Sequence, residues 1–251
     1  MPRKSPARLF VDAPLGRASL RLDAEQAHYL GRVLRCREGE EIVVFNARGE
    51  ERSARIESLA KRHPVVALGA ALSPLPESAA GIVLLQALVK SDAMDLIVQK
   101  ATELGVAAVL AAHTEFSVVR LDAERRSRRL AHWRRIARSA CEQSGRHRPP
   151  ELAVFGDLGA AIAALPAGGE RIAFDAGAGR ALGADGRGNG GGVCLAIGPE
   201  GGFSPDETAR LEAAGFGLRS LGPRTLRAET AAIAACAGLQ FLRGDLGANG
   251  R

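Results

Sequence analysis

The stretch Val193-Cys-Leu-Ala-Ile-Gly-Pro-Glu-Gly-Gly-Phe-Ser-Pro-Asp-Glu207 predicts a buried strand, a glycine-rich loop and a helix start, in that order. Its apolar run, residues 193–197, ends in turn residues, which is typical of a strand covered on both faces of a parallel sheet. Ser204, Pro205 and Glu207 have the spacing of a capping box, in which side chains satisfy free N–H groups of the first helical turn. The loop therefore lies at the carboxyl end of a strand, where open α/β sheets bind their ligands.

The loop itself, residues 198–203, favours some ligands over others. It lacks the Gly-Lys-Ser/Thr of a phosphate-binding loop and the three-glycine fingerprint of a dinucleotide site. Two adjacent glycines, Gly201 and Gly202, let the backbone approach a ligand, and Glu200 adds a carboxylate. That combination suits a cation or a ribose better than a phosphate. The simpler interpretation, a tight turn between strand and helix, is the more common one for an isolated glycine pair.

A second strand-loop-helix corner follows near the C-terminus. Residues 218–221 are a candidate strand, residues 222–230 read Gly-Pro-Arg-Thr-Leu-Arg-Ala-Glu-Thr, and an apolar helix is predicted over residues 231–242. The loop offers Arg224 and Arg227. Taken alone, it is a basic loop with a polar helix cap, but two such loops at one end of a sheet are expected to close on the same ligand.

Composition indicates an ordinary globular protein. The chain has 251 residues, 46% of them hydrophobic and 25% charged, enough for one large or two modest domains. No apolar run approaches the ~20 residues that cross a bilayer, and no apolar secretory segment follows the charged N-terminus. Four scattered cysteines and five histidines lack metal-ligand spacing. We therefore expect a cytoplasmic protein with no membrane partner and no metal.

The positive charge is concentrated in one segment. The chain carries a net charge of +6, and eight arginines fall between Arg120 and Arg138. A helix is predicted over residues 122–143, with Leu130, Trp133, Ala137 and Ala140 on its buried side. Since arginine clusters bind phosphates well and few acids dilute this one, nucleic-acid contact is favoured over a merely solvated helix face.

The chain divides into two parts with different patterns. Residues 1–72 contain five short candidate strands (8–11, 18–22, 41–46, 52–59 and 65–72) and one helix capped by Asp23 with Gln26, which suggests a small β-barrel. A basic edge at Arg32 and Arg35 suits RNA as well as it suits solvent. Residues 73–80 read as a linker.

From residue 81 onward, strands alternate with helices, which predicts an α/β domain with a parallel sheet over 81–251. Ser91 or Asp92 is expected to cap a helix with an apolar stripe at Met94, Ile97, Val98, Ala101 and Leu104. The glycine-dominated residues 176–192 are expected to form a surface loop, because such a segment buries too little to offset its ordering entropy.

Five segments of the sequence form recognisable motifs. They are His-Tyr-Leu-Gly-Arg-Val-Leu-Arg at 28–35, the segment 90–105, Glu-Gln-Ser-Gly-Arg at 142–146, Ile-Gly-Pro-Glu-Gly-Gly-Phe-Ser at 197–204 and Leu-Gly-Pro-Arg-Thr-Leu-Arg-Ala-Glu-Thr-Ala at 221–231. Together these motifs resemble the RsmE-type 16S rRNA uracil-N3 methyltransferases of the SPOUT superfamily. They span nearly the whole chain in the family's order. Thr225 stands where an aliphatic residue is usual, and residues 176–192 resemble an insertion.

The resemblance implies a PUA-like β-barrel followed by a SPOUT-type parallel sheet. In this family the C-terminal segment threads a trefoil knot, binds S-adenosyl-L-methionine and forms a homodimer. Carried onto this sequence, the cofactor-binding residues are Phe174, Ile197, Gly198, Pro199, Glu200, Gly201, Gly202, Leu221, Gly222, Leu226 and Arg227. The implied substrate is 16S rRNA within the small ribosomal subunit.

The implied chemistry requires a proton acceptor and a cation. Uracil N3 must lose its proton, and negative charge then grows on the base. By residue type and position, Glu229 or Glu200 is the candidate acceptor, directly or through water, and Arg227 the candidate cation. RNA contacts are expected from Arg32, Arg35, Lys90, Lys100, Arg120 and Arg146.

Two other classes of function remain open at this point. The chain could be a nucleotide-dependent enzyme acting on small molecules, although it lacks both phosphate-loop patterns. It could also be a ribosome-binding factor with no turnover, in which case residues 198–202 and 227–230 would have no reason to converge. The related alternative is a non-catalytic ribosome-binding or RNA-binding factor that retains a cofactor pocket.

Overall fold

The computed structural model describes residues 6–60, 63–183 and 191–247. The chain forms two compact units: Met1–Glu77 with Arg138–Pro149, and Ser78–Ala137 with Pro150–Arg251. The first boundary falls inside the predicted linker. Residues 138–149, which the sequence placed in the second domain, group with the first because their side chains pair there. Glu142 accepts a hydrogen bond from the Phe10 N–H at 2.9 Å, and Arg146 pairs with Glu77.

The first unit contains a five-stranded sheet, and its strands confirm the five predicted segments. The strands are β1 (Ala7–Phe10), β2 (Ser19–Arg21), β3 (Glu41–Phe45), β4 (Glu51–Ser58) and β5 (Val65–Ala71), in the order β1-β3-β4-β5-β2. Only β1 and β3 pair in parallel among these neighbours. Their inward side chains, including Leu9, Val44, Ile56 and Val66, form one apolar core.

The helix of the first unit begins where the capping signal predicts. Helix α1 (Ala24–His28) has Asp23 as its N-cap, and the Gln26 side chain accepts back from the Asp23 N–H. A π-helical turn, Tyr29–Val33, continues it. Arg35 follows in the left-handed backbone region, with φ +57°.

The second unit is built on a six-stranded parallel sheet. Its strands are β6 (Ile82–Ala87), β7 (Ala108–Ala112), β8 (Glu151–Phe155), β9 (Glu170–Phe174), β10 (Val193–Ile197) and β11 (Gly217–Arg219), in the order β11-β9-β10-β6-β7-β8. All five residues of β10 are buried, and it pairs in parallel with β6 and β9. This confirms the prediction of a doubly covered strand.

Helices cover both faces of this sheet. They are α2 (Ser91–Glu103), α3 (Ala123–Ser144), α4 (Leu158–Ala163), α5 (Pro205–Ala213) and α6 (Ala228–Arg243). Alternate residues of β10 divide between two apolar cores: Leu195 packs with residues of α2, α3 and α6, and Ala196 packs with residues of α4 and α5. The two helices that follow β10 and β11 therefore lie on opposite faces of the sheet.

Two predicted helix starts differ from the structure. Lys90, not Ser91 or Asp92, is the N-cap of α2, and it makes no side-chain cap hydrogen bond. Helix α6 begins at Ala228 rather than at residue 231, with the Ala231 N–H bonded to the Arg227 carbonyl at 2.8 Å. The predicted helix followed only the apolar run from residue 231. It therefore left out the first turn, which contains the polar residues Glu229 and Thr230.

Part of the predicted glycine-rich loop, residues 184–190, lies outside the described residues. On its N-terminal side, Ala181 forms a parallel bridge with Ser220. Across the described ranges, no helix is both long and apolar enough to cross a bilayer.

Candidate functional site

The first corner, the loop between β10 and α5, is a closed turn. Gly198 and Pro199 are buried while Glu200 is exposed, and the Gly202 N–H donates to the Pro199 carbonyl at 2.9 Å. A Cβ at Gly198 would lie 3.0 Å from the carbonyl carbon of Gly202, and Gly202 has φ +74°. Both positions therefore require glycine, the first for space and the second for backbone conformation.

The N-terminus of helix α5 holds the C-terminal end of this corner in place. Ser204 and Glu207 form the predicted capping box, with the Ser204 hydroxyl accepting from the Glu207 N–H. The Glu207 carboxylate is buried and accepts two backbone hydrogen bonds, one from the Ser204 N–H at 3.1 Å and one from the Glu115 N–H at 2.9 Å. The second bond, not predicted from sequence, ties the first corner to the connection between β7 and α3.

The second corner, residues 221–227 between β11 and α6, is more open. Arg224, Thr225 and Arg227 are exposed, and Gly222 has φ +102° with open space around it. Arg227 is the N-cap of α6, but its side chain makes no cap hydrogen bond. The first N–H groups of a helix have no intrahelical partner, so this helix start can offer donors and a positive dipole end to a ligand.

The two corners share one cavity of about 260 Å³ with the carboxyl end of β9. Small-molecule sites span roughly 300–1,000 Å³, so this cavity is slightly smaller than the lower end of that range. All but one of the residues that the sequence predicts for the cofactor line it: Phe174, Ile197, Gly198, Pro199, Glu200, Gly201, Gly202, Leu221, Gly222 and Leu226. The structure therefore brings the two loops together as predicted.

The three candidate catalytic residues differ in position. Glu200 lines the cavity, whereas Arg227 and Glu229 are not among its lining residues. Arg227 stands between two residues that do line it, Leu226 and Ala228, and its side chain is exposed. Glu229 is half-buried in the first turn of α6. The pair thus flanks the cavity at its α6 side.

The cofactor-binding residues predicted from sequence did not include six residues that line the cavity: Asp175, Ala176, Arg224, Thr225, Ala228 and Ala231. Of these, Arg224 had been named only as a cation that the second loop offers to a ligand. Asp175 could have been predicted from the sequence. It directly follows β9, and β9 pairs in register with β10, so the two strands end at the same edge of the sheet. Its carboxylate accepts the Gly177 N–H at 2.6 Å, and its own N–H donates to the Arg219 carbonyl at 3.0 Å. The cavity therefore holds two carboxylates, Asp175 and Glu200.

The predicted RNA-contacting residues fall into two groups. Arg32, Arg35, Lys90 and Arg120 are exposed. Lys100 pairs with Glu103 at 2.8 Å, and the Arg146 side chain is only 10% exposed and pairs with Glu77 at 2.7 Å. Arg146 therefore has a structural role within the first unit, and we do not count it among the RNA contacts.

The buried thiols Cys141 and Cys236 are not among the residues that line the cavity. Burial raises the pKa of Cys141 and of Cys236 to about 12, so neither thiol is a nucleophile near neutral pH. In the first unit, burial and the neighbouring Glu142 raise the pKa of Tyr29 to about 12. Within the part of the chain that the structure describes, no group of three His, Cys, Asp or Glu side chains is arranged to hold a metal ion.

Comparison with known proteins follows the same two-part division. A family model described as an RNA methyltransferase domain matches residues 76–240, and one described as an RNA methyltransferase PUA domain matches residues 22–68. The ribosomal RNA small subunit methyltransferase E of Mycobacterium bovis is 32% identical over 227 residues, which cover 85% of this chain and 83% of that protein.

Two solved structures resemble the chain over almost its whole length. A Legionella pneumophila protein solved in complex with the bound cofactor SAM has a TM-score of 0.91 and 34% identity, covering 97% of this chain and all of the other. The ribosomal RNA small subunit methyltransferase E of Neisseria gonorrhoeae, bound to S-adenosyl methionine, has a TM-score of 0.87 and 32% identity, covering 96% and 99%. The chain therefore belongs to the RNA methyltransferase family of the ribosomal RNA small subunit methyltransferases E.

Proposed function

We propose that this protein transfers a methyl group from S-adenosyl-L-methionine to N3 of a uracil in 16S rRNA of the small ribosomal subunit. The observation that carries the proposal is the shared cavity: two loops that are distant in sequence meet there at the carboxyl ends of parallel strands. A ribosome-binding factor without a cofactor pocket would have no need for this convergence, and a methyl-transfer assay separates a factor that retains the pocket from an enzyme. The two relatives solved with this cofactor support the same assignment.

The lining residues fit this cofactor. A sulfonium is cationic, and Asp175 and Glu200 place two carboxylates in the cavity wall. Phe174, Leu221 and Leu226 provide apolar surface for an adenine ring, and the glycines of both corners let the backbone approach closely. Arg224 and the start of α6 suit the carboxylate of the methionine moiety.

Once bound, the cofactor supplies an electrophilic methyl group, and the protein must prepare the uracil. Glu200 or Glu229 accepts the N3 proton, directly or through a water molecule. Arg227, whose side chain is exposed at the start of α6, stabilises the negative charge that develops on the uracil oxygens. The N–H groups at the start of α6, which have no intrahelical partner, also favour negative charge on the uracil oxygens.

We also propose the finer features that the family resemblance implies. The C-terminal segment threads a trefoil knot, and the protein acts as a homodimer in the cytoplasm. The strand order supports a knot, since the chain leaves β10, passes to β11 beyond β9, and returns through 221–227 to pack α6 against α2 and β10. Comparing the unfolding of the chain with that of a circular permutant opened between α5 and β11 tests the knot.

RNA is held by cations in both units. We assign phosphate contacts to Arg32 and Arg35 in the first unit and to Lys90 and Arg120 in the second, with Lys100 contributing once released from Glu103. Such binding releases counterions and must weaken steeply as salt is added. Affinity for small subunits that does not change with salt would contradict this assignment.

The experiment that tests the function is a methyl-transfer assay. Purified protein is incubated with S-adenosylmethionine carrying a labelled methyl group and with small subunits, free 16S rRNA or small molecules. The proposal predicts label in 3-methyluridine from the small subunit. Label in another nucleoside would show that the proposed target base is wrong. Cofactor binding with no transfer to any RNA would favour a non-catalytic factor.

A further inference from the structure

The connection between β7 and α3 exposes an aromatic side chain beside the cavity. Phe116 is 45% exposed, and a Cβ at Gly201 would lie 3.3 Å from the Phe116 Cβ and 3.5 Å from atoms of its ring. Gly201 itself lines the cavity. An exposed phenyl ring therefore packs against the loop that forms one wall of the candidate cofactor site.

This ring is held by an ordered turn. Thr114 and Ser117 are buried, their hydroxyls lie 2.8 Å apart, and the Ser117 N–H donates to the Thr114 carbonyl at 3.0 Å. The Glu115 N–H donates to the buried Glu207 carboxylate. These three hydrogen bonds fix the backbone on both sides of Phe116, so the ring is held on an ordered turn.

The surroundings of the ring indicate what covers it. A partner that covers an exposed phenyl ring gains the hydrophobic free energy of its burial. Arg120, four residues further along, is exposed, and the arginine-rich α3 begins three residues after it, at Ala123. An apolar ring beside cations suits a nucleic-acid strand, whose bases stack on aromatic side chains while its phosphates bind arginine.

We propose that Phe116 stacks on a base of the substrate RNA that flanks the target uracil, and that Arg120 binds a phosphate of the same strand. This inference rests on the proposed function, because the target must enter the cavity beside Gly201. Enzymes that extrude a base commonly select substrates through contacts with its neighbours. Phe116 then acts as a positioning residue that orders the strand, while the cavity residues carry the chemistry.

Kinetics of matched variants test the stacking role. Phe116→Ala should raise KM for small subunits about tenfold, within the range that loss of one stacked base produces. Phe116→Tyr, which keeps the aromatic face, should stay near wild type, whereas Phe116→Leu, which keeps apolar area without that face, should behave like the alanine variant. The affinity for S-adenosylmethionine should not change in any of them.

Val118→Ala is the matched control, because Val118 lies in the same connection and is 66% exposed but has no ring. Its KM for small subunits should equal that of the wild type. If the wild type methylates rRNA but Phe116→Ala leaves this KM unchanged, the stacking role is wrong and the proposed function stands. If Phe116→Leu and Phe116→Tyr have the same KM for small subunits, the stacking role is also wrong, because apolar area without an aromatic face would then be enough for binding.

A second measurement does not depend on catalysis. Phe116→p-benzoylphenylalanine, irradiated in complex with small subunits, should crosslink to rRNA. Crosslinking instead to a second copy of the chain, with a shift in sedimentation for Phe116→Ala, would assign the ring to a protein interface and overturn the proposal. If the protein crosslinks to rRNA but transfers no methyl group, Phe116 contacts RNA as proposed and only the proposed function is wrong.

Discussion

The two corners that wall the cavity differ in how firmly they are held. The first, between β10 and α5, has buried Gly198 and Pro199, a closed turn and a capping box whose buried Glu207 also binds the Glu115 N–H. The second, between β11 and α6, has exposed arginines and a helix start without a side-chain cap. We infer that the first corner is the shaped wall of the proposed cofactor site, and that the second keeps its charged groups available for the proposed reaction.

This division predicts that removing Arg227, the exposed cation at the end of the second corner, affects the rate of transfer more than cofactor binding. Arg227→Ala should slow single-turnover methyl transfer by about 10²–10³-fold, the range for loss of one donor to developing negative charge. Cofactor affinity should change little, because Arg227 does not line the cavity and its side chain caps nothing. Rapid-quench kinetics with labelled cofactor, together with calorimetric binding, measure the two quantities separately.

Arg224→Ala is the informative companion, since Arg224 belongs to the same corner and lines the cavity. It should weaken cofactor binding and leave the rate at saturating cofactor near that of the wild type. If Arg224→Ala slows transfer while Arg227→Ala does not, the cation that stabilises the uracil is Arg224, and the roles of the two arginines are exchanged.

The first corner should respond in the opposite way. Gly198→Ala places a methyl group 3.0 Å from the carbonyl carbon and 3.1 Å from the Cα of Gly202, both of them backbone atoms. Overpacking of this kind costs about 1–3 kcal/mol, and since about 1.4 kcal/mol is tenfold in affinity, cofactor binding should weaken by one to two orders of magnitude. Isothermal titration with S-adenosylmethionine measures the loss.

Gly179→Ala provides the control for that variant. Gly179 lies in the connection that follows β9, where an added Cβ has no heavy atom within 4 Å and the backbone has no positive φ. Its cofactor affinity should be that of the wild type. If Gly198→Ala binds S-adenosylmethionine with wild-type affinity, the first corner can shift to accommodate the added methyl group. The first corner would then be no more rigid than the second.

Local signals were sufficient to predict most of this fold. Apolar runs located β10 and, to within two residues, β11, and the Ser204 and Glu207 spacing located the start of α5. These signals work because capping and strand burial depend on residues that are close in sequence. The converging loops were expected from the carboxyl ends of parallel strands, and the resemblance to a family supplied the cofactor.

The remaining features depend on pairs of residues that are far apart in sequence. Arg146 was assigned to RNA because it is cationic and follows an arginine-rich helix, yet its partner Glu77 lies 69 positions away. The second role of Glu207 depends on Glu115, 92 positions away. No period or cap encodes such a pairing in a single sequence. Asp175 is different, since the ends of adjacent parallel strands could have indicated it.

The rigidity of the first corner leads to a smaller effect, on stability rather than on rate. Glu207→Gln removes one of the two carboxylate acceptors and turns an amide N–H toward a backbone N–H. Loss of a charge-assisted bond and an unsatisfied donor together cost about 1–3 kcal/mol, which should lower Tm by several degrees in differential scanning calorimetry. Glu212→Gln, at an exposed position of the same helix, should leave Tm unchanged. Equal Tm values for the two variants would mean that the Glu207 carboxylate does not hold this corner, whose shape would then be set by its glycines alone.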